Sequence, residues 1–286
     1  MSQHAKLKFD TIGLWSEIKL EILSDYAKEY SKILTAQKRS KNIPFKIIYI
    51  DAFAGAGVHI SKRTGGLVPG SPLHALSVEP PFHEIHLIDL DAQKVELLRD
   101  LAGDRPNVFF YEGDCNKVLL EGILPTVRYQ DYKRALCFLD PYGLHLKWDV
   151  IEMAGKLGAI DMFLNFPVAD MNRNVFWREP EGVNPADIAR MNAFWGDESW
   201  REAVYSSQLA DMFGYEALEK NPNEVIAQAF EERLKETAGF QYVLKRPMTN
   251  SKGAVVYYLF FASQQPVAQR IVEHIFFKKP RPTETV

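Results

Sequence analysis

The chain has 286 residues, of which 47% are hydrophobic, and a formal charge of −3. This apolar share is enough for the core of one large domain, and the charge excludes nucleic-acid binding through a generally basic surface, so such contact would need local basic patches. The two cysteines, Cys115 and Cys137, form no CxxC pair, which argues against a zinc site and a disulfide framework and indicates a reducing, cytoplasmic setting. The longest apolar stretches are too short to span a membrane.

Apolar residues recur at helical spacing from Trp15 to Ile33, which predicts an amphipathic helix, within residues 1–45, packed on the core. An isoleucine-rich run at 45–50 then predicts a buried parallel strand. Strand alternating with helix predicts an α/β fold with a mostly parallel sheet covered on both faces. Further strands are expected at 84–89, 108–111, 135–139 and 161–166, and helices at 91–101, at 148–157 and from Pro72 onward with Ser71 as N-cap.

Residues 170–239 depart from this rhythm, since they show helical patterns and no good strand. They are predicted to form a helical insertion, in which Phe194, Trp195 and Trp200 make a core of their own. Strand character returns at 241–244 and 255–262, which predicts a closing antiparallel hairpin. The core is therefore expected to comprise residues 46–169 and 240–278, with a flexible tail at 279–286.

The first strand runs into the segment from Asp51 to Gly57, DAFAGAG, at the sheet edge where open α/β folds bind ligands. Glycine allows the backbone to approach a ligand closely, although any α/β protein can carry glycines in this turn. A dinucleotide site needs a third glycine and an immediate helix, neither of which follows Gly57. S-adenosylmethionine has no phosphate and is therefore favoured over NAD. The candidate cofactor residues in this segment are Asp51, Phe53, Gly55 and Gly57.

Acidic residues follow the next two strands. Asp89 is expected to bind the hydroxyls of a ribose, whereas Asp91 is expected to cap the following helix. Asp114 follows a glycine turn, where it can bind an adenine amino group or cap the residues from Asn116 onward. These positions predict the other half of the cofactor site.

The fourth strand ends in Asp140-Pro141-Tyr142, the candidate catalytic residues. Methyl transfer to an exocyclic amine needs acceptors for the amine protons and a flat surface for the base, which the Asp140 carboxylate, the Pro141 carbonyl and the Tyr142 ring can supply. The alternative is an ordinary Asp-Pro turn. Beyond the fifth strand, Asn165 and Arg173 are candidate substrate-binding residues, and the histidines show no metal-ligand spacing, so no metal is expected.

Several of these stretches together resemble the three-Cys-motif partner family. The resemblance rests on YIDAFAGAG, GSPLHAL, IHLIDLD, FLDPYG, KWDVIEMAGKLGAIDMFLNFP and FWGDESWRE, and it covers nearly the whole chain. It implies a Rossmann-like methyltransferase fold and a partner protein with three clustered cysteines, of a radical S-adenosylmethionine-like type. A wider resemblance is to amino-methyltransferases with a DPPY-type motif, from which this chain differs in having one proline, so that Tyr142 stands one position early.

Two functions of different class follow. The first is S-adenosylmethionine-dependent methyl transfer to a nitrogen, on a nucleic-acid base. The second is a methyltransferase-like scaffold that serves as partner of the three-cysteine protein without catalysis. NAD-dependent oxidoreduction is a weaker third alternative.

Overall fold

The structure is a computed structural model that describes residues 9–207, 218–250 and 252–278. Its strands are β1 Thr11–Ile12, β2 Lys46–Asp51, β3 Val58–Ser61, β4 Leu67–Pro69, β5 Glu84–Asp89, β6 Val108–Glu112, β7 Lys133–Leu139, β8 Ile160–Phe166, β9 Tyr205–Ser207, β10 Leu218–Lys220, β11 Tyr242–Thr249 and β12 Val255–Ser263. Its α-helices are α1 Leu14–Lys41, α2 Ser71–Leu76, α3 Ala92–Ala102, α4 Cys115–Lys117, α5 Trp148–Lys156, α6 Val168–Asn174, α7 Pro185–Trp195, α8 Trp200–Val204, α9 Asn223–Glu236 and α10 Pro266–Lys278.

The central sheet has the strand order β6, β5, β2, β7, β8, β12, β11. The strands from β6 to β8 are parallel, β12 is antiparallel to β8, and β11 is antiparallel to β12. The predicted fold class, α/β with a Rossmann-like, mostly parallel sheet and a closing antiparallel hairpin, is confirmed. The chain passes from β2 to β5 and β6 on one side, and later to β7 and β8 on the other. The order therefore reverses between β2 and β7, which is where such sheets bind ligands.

Both faces of the sheet are covered. Along β2, Ile48 and Ile50 belong to one core cluster, and Ile47 and Tyr49 to the other, because successive side chains of a strand point to opposite faces. The first cluster includes side chains of α5, α7, α8 and α9, and the second includes those of α1, α2 and α10. None of the described helices is long and apolar enough to cross a membrane.

The segment 170–239 differs from its prediction in two respects. It contains the antiparallel pair β9 and β10, where no strand was expected. Its aromatics also pack on the central sheet rather than forming a separate core: the Phe230 and Phe194 rings lie 4.6 and 5.9 Å from the Phe166 ring of β8. Helical spacing shows that a helix has an apolar side but does not show what that side covers. Residues 208–217 of this segment and the predicted tail at 279–286 lie outside the described residues.

A small three-stranded sheet, not predicted from the sequence, follows the glycine segment. In it β3 pairs with β4 and also, in parallel, with β1 from the N-terminal segment. After β4, helix α2 begins at Ser71 with Gly70 as its N-cap, so the prediction of Ser71 as N-cap is wrong. The Ser71 hydroxyl instead hydrogen-bonds the Asp51 carboxylate.

A backbone contact at Gly155 of α5 supports a prediction about stability. A Cβ atom there would lie 2.0 Å from the Ala238 carbonyl oxygen. We expect Gly155→Ala to lower the free energy of unfolding by about 2 kcal/mol, because overpacking outweighs the gain in helix propensity. Urea denaturation measures the change. Gly122→Ala is the matched control, since a Cβ there meets nothing within 4 Å, and equal stability of the two variants would contradict the prediction.

Candidate functional site

Two neighbouring cavities open at the carboxyl edge of the sheet. The small cavity has a volume of about 280 Å³ and is lined in part by Asp89 and Asp114. The large cavity has a volume of about 500 Å³, and Phe53 and Tyr142 line both. The large cavity brings together the predicted residues Gly55, Asp140, Pro141, Asn165 and Arg173, whereas Asp51 and Gly57 line neither cavity.

The glycine segment is held in place by its backbone. Gly55 and Gly57 have φ angles of +62° and +78°, which side chains other than glycine rarely adopt. A Cβ on Gly57 would also lie 2.7 Å from Leu98 Cδ2, so this glycine allows α3 to approach the loop. Glycine is thus required here for the path of the loop, and Gly55 alone of the two faces a cavity.

Asp89 connects the glycine segment to the small cavity. Its Oδ2 accepts a hydrogen bond from the Gly55 N–H at 2.8 Å, and its Oδ1 accepts one from the Asp91 N–H at 2.9 Å. Each carboxylate oxygen can accept more than one hydrogen bond, so the cavity-lining side chain still has acceptor capacity. The neighbouring Asp91 accepts from the backbone N–H groups of Gln93 and Lys94, which confirms it as the N-cap of α3.

Asp114 has the geometry for both of its predicted roles. Its Oδ1 accepts from the backbone N–H groups of Asn116 and Lys117, so it caps the short helix α4. Its Oδ2 has no hydrogen-bond partner among the described residues, and the side chain is exposed and lines the small cavity. A second acceptor is therefore available to a ligand.

Asp51 lies beneath the glycine segment, fully buried. Burial raises its pKa to about 7, and hydrogen bonds from Ser71, from the Phe53 N–H and from the Tyr49 hydroxyl offset only part of this effect. Asp51 therefore supports the glycine segment through its hydrogen bond from the Phe53 N–H, and its charge depends on pH in the neutral range.

This raised pKa predicts a pH-dependent stability. Because the folded-state pKa exceeds the unfolded value of 3.8, the contribution of Asp51 is fully present below about pH 4 and is lost as pH rises to about 7. We expect Asp51→Asn to become more stable relative to the parent protein across this interval, by up to about 1.4 kcal/mol per pH unit. Urea denaturation from pH 4.5 to 8 measures the difference. Parallel pH profiles for the two proteins would contradict it.

Asp140 lies immediately after β7 and is paired within the chain. Its Oδ2 lies 2.5 Å from the Lys19 Nζ of α1, and its Oδ1 accepts a hydrogen bond from Asn165 Nδ2 at 2.8 Å. The Asp140 side chain is 27% exposed, that of Lys19 only 7%. Sequence reasoning missed Lys19, although the lysine stands three residues before Ile22, on the apolar stripe of the N-terminal helix. A lysine in such a stripe needs a buried partner.

Asn165 lines the large cavity and carries an unpaired acceptor. Because a carboxylate only accepts hydrogen bonds, the contact with Asp140 requires the Asn165 NH₂ group to face that residue. The Asn165 Oδ1 consequently points away, and it is buried without a hydrogen-bond partner among the residues that the structure describes. Buried polar atoms are nearly always paired, so this oxygen is a candidate acceptor for a hydrogen-bond donor of a ligand.

The outer wall of the site contains an aromatic ring and a free cation. Tyr142 is 59% exposed, its hydroxyl donates to Asp10 Oδ2 at 3.2 Å, and Lys94 Nζ lies 5.6 Å from its ring centroid. Arg173 is exposed, and its guanidinium has no partner among the described residues. The site can therefore offer a flat surface and a positive charge to a substrate.

Another cavity, of about 120 Å³, lies at the opposite edge of the sheet, between α1 and α10. Its buried acid, Asp161, accepts hydrogen bonds from the Tyr26 and Ser263 hydroxyls, each at 2.5 Å, so both of its oxygens are engaged. The sequence-predicted residues that line a cavity do so at the carboxyl edge, and we assign the candidate site there. In the described part of the chain, no group of three or more His, Cys, Asp or Glu side chains is placed to hold a metal ion.

The sequence matches no protein-family model and no curated protein. Among solved structures, a Legionella pneumophila protein of the family DUF519 is similar over 90% of this chain and 91% of its own, with 10% identity and a TM-score of 0.46. The methyltransferase domain of the bacterial protein CtHen1-CN is similar over 83% of this chain and 99% of its own, with 10% identity and a TM-score of 0.36. An S-adenosylmethionine-dependent methyltransferase from Mesorhizobium loti is similar over 81% of this chain and 95% of its own, with 11% identity and a TM-score of 0.33. With scores this low, the fold assignment rests on the strand order of the chain itself.

Proposed function

We propose that the protein is an S-adenosylmethionine-dependent methyltransferase that modifies a nitrogen atom, on a nucleic-acid base. The observation that carries this proposal is the adjacency of the two cavities at the switch point of the sheet. One cavity has acceptors suited to an adenosine, the other has an unused acceptor suited to an amine, and Phe53 and Tyr142 line both.

The small cavity fits the adenosine of the cofactor. Asp89 would accept hydrogen bonds from the ribose hydroxyls, and the Oδ2 of Asp114 would accept one from the adenine amino group. After Gly57 the chain enters strand β3 rather than a helix, so no helix N-terminus is available there for a pyrophosphate. This favours S-adenosylmethionine over NAD.

The large cavity fits the methyl acceptor. The Asn165 Oδ1 and the Pro141 carbonyl would accept the two protons of an exocyclic amine, which directs the nitrogen lone pair at the methyl group. The lone pair forms the new N–C bond as the C–S bond breaks, its electrons pass to the sulfur to give S-adenosylhomocysteine, and one amine proton leaves to solvent. Toward the acceptor amine, Asp140 would act through its hydrogen bond to Asn165, as a positioning residue.

The outer wall supports a nucleic-acid substrate. The free guanidinium of Arg173 can pair with a phosphate, and the exposed Tyr142 ring can stack on a base. The resemblance to the three-Cys-motif partner family adds a second expected partner, the three-cysteine protein, in whose presence activity is best tested.

The test is to incubate the purified protein with methyl-labelled S-adenosylmethionine and to separate DNA, RNA and protein pools, with and without the three-cysteine protein. We expect label in a nucleic-acid pool. Label confined to protein would exclude a nucleic-acid substrate.

A second candidate function is a non-catalytic partner of the three-cysteine protein. It is favoured by the engagement of both Asp140 oxygens within the chain, which is compatible with a purely structural acid. The absence of label from every pool with the partner present, together with full support of the partner's biological activity by Asp140→Ala, would establish this scaffold function.

A further inference from the structure

Lys19 presents a buried positive charge to the large cavity. Its side chain is 7% exposed, and its ammonium has three N–H donors. Among the described residues the one acceptor in contact with it is Asp140 Oδ2, at 2.5 Å. The centroids of the Tyr257 and Phe138 rings lie 5.1 and 5.8 Å from Nζ. Their faces attract the positive charge but offer no lone pair for a hydrogen bond. The ammonium therefore has donors left for a ligand in the cavity that it lines.

The ion pair of Lys19 and Asp140 carries one positive and one negative charge, so it is complementary to a zwitterion. Asp140 also lines the large cavity and is more exposed than Lys19, so both charges of the pair can be reached from the same space. An α-amino acid carries a carboxylate and an ammonium on one carbon, and it can pair its carboxylate with Lys19 and its ammonium with Asp140. A simple anion would satisfy Lys19 but would be repelled by Asp140.

We infer that Lys19 and Asp140 form the receptor for the α-amino-acid end of the cofactor, with Lys19 binding its carboxylate. This inference rests on the proposed function and assigns a subsite that the sequence did not indicate. The geometry fits a single ligand, because the large cavity adjoins the small one at Phe53, so an adenosine beside Asp89 can extend its thioether chain toward Lys19.

The experiment compares two ligands that differ in the amino-acid end. S-adenosylhomocysteine has it, and 5′-methylthioadenosine has the same adenosine and sulfur without it. Calorimetry gives the dissociation constants of both for the parent protein, for Lys19→Met and for Asp89→Asn. Methionine is an unbranched side chain one atom shorter than lysine, and it lacks the charge.

We expect the parent to bind S-adenosylhomocysteine at least tenfold more tightly than methylthioadenosine. Lys19→Met should weaken the binding of S-adenosylhomocysteine about ten- to hundredfold, the range for loss of a hydrogen bond to a charged group. It should change the affinity for methylthioadenosine by less than about twofold. Asp89→Asn is the matched control, because a residue that binds the ribose should weaken both ligands alike.

Equal weakening of both ligands by Lys19→Met would overturn the inference, since it would show that Lys19 only supports the fold. Equal affinity of the parent for the two ligands would also overturn it, and this measurement does not depend on the folding of any variant. If the parent binds neither ligand, the proposed cofactor itself is wrong. Failure of the inference and failure of the proposed function are thereby distinguishable.

Discussion

Asp140→Ala is expected to reduce methyl transfer by at least about 100-fold, the effect of misplacing a reacting group by about 1 Å. Without the Asp140 carboxylate, the Asn165 amide loses the hydrogen bond that fixes its orientation. The amine of the acceptor would then lose an oriented partner. Single-turnover transfer from labelled S-adenosylmethionine, normalised to the folded fraction, measures the loss.

The same substitution should destabilise the protein. It leaves the Lys19 ammonium, 7% exposed, without its partner, and breaking a buried ion pair costs about 3 kcal/mol. The matched control is the double variant Lys19→Met/Asp140→Ala, which removes both charges and should recover part of this stability. Transfer should remain low in the double variant, because Asn165 is still unoriented and both groups of the proposed amino-acid receptor are absent.

Two results would contradict the hypothesis that Asp140 orients Asn165 and stabilises Lys19. One is a folded Asp140→Ala protein that transfers methyl groups within tenfold of the parent rate. The other is a double variant that is as unstable as the sum of the two single variants, since that would show that Lys19 and Asp140 do not stabilise each other.

Asp89→Ala is expected to weaken S-adenosylhomocysteine binding about ten- to hundredfold, the loss of a hydrogen bond to a charged acceptor. The substitution also removes the acceptor of the Gly55 N–H, so the glycine segment loses its attachment to β5. Both effects act on the small cavity. Calorimetry on the folded variant measures the change.

Asp91→Ala is the matched control for Asp89→Ala. It removes an acid two residues away whose side chain caps α3 and lines neither cavity. Loss of a cap should lower stability by about 1 kcal/mol and leave cofactor affinity unchanged. Unchanged affinity in Asp89→Ala would remove Asp89 from the site, and tighter binding of NAD than of S-adenosylhomocysteine by the parent would overturn the cofactor assignment.

Much of the fold was predictable from local pattern. The parallel strands are buried on both faces, so they appear in the sequence as short apolar runs, and the predicted run at 84–89 coincides with β5. Helix α3 was predicted within one residue at each end, because its cap, Asp91, is a local signal. The positions of the candidate acids Asp89 and Asp140 at strand ends were predictable for the same reason, since the end of a buried strand is itself visible in the sequence.

The arrangement of the second face was not predictable. The segment 170–239 was predicted to be helical, but the contacts of its helices with β8 and β12 are long-range, and an apolar stripe does not specify which surface it covers. The small sheet was missed because its strand β1 has two residues, too few to show alternation, and is defined by its pairing with β3.

The fold class and the sheet edge of the candidate site follow from local pattern, because strand, turn and strand-end acid follow one another along the chain. The charges of the candidate site, in contrast, depend on contacts between distant parts of the chain. Lys19 and Asp140 are 121 positions apart, and their contact exists only because α1 packs against the sheet. The unpaired acceptor of Asn165 likewise depends on the orientation of its amide. A hydrogen bond to Asp140 fixes that orientation, and it cannot be predicted from the local sequence.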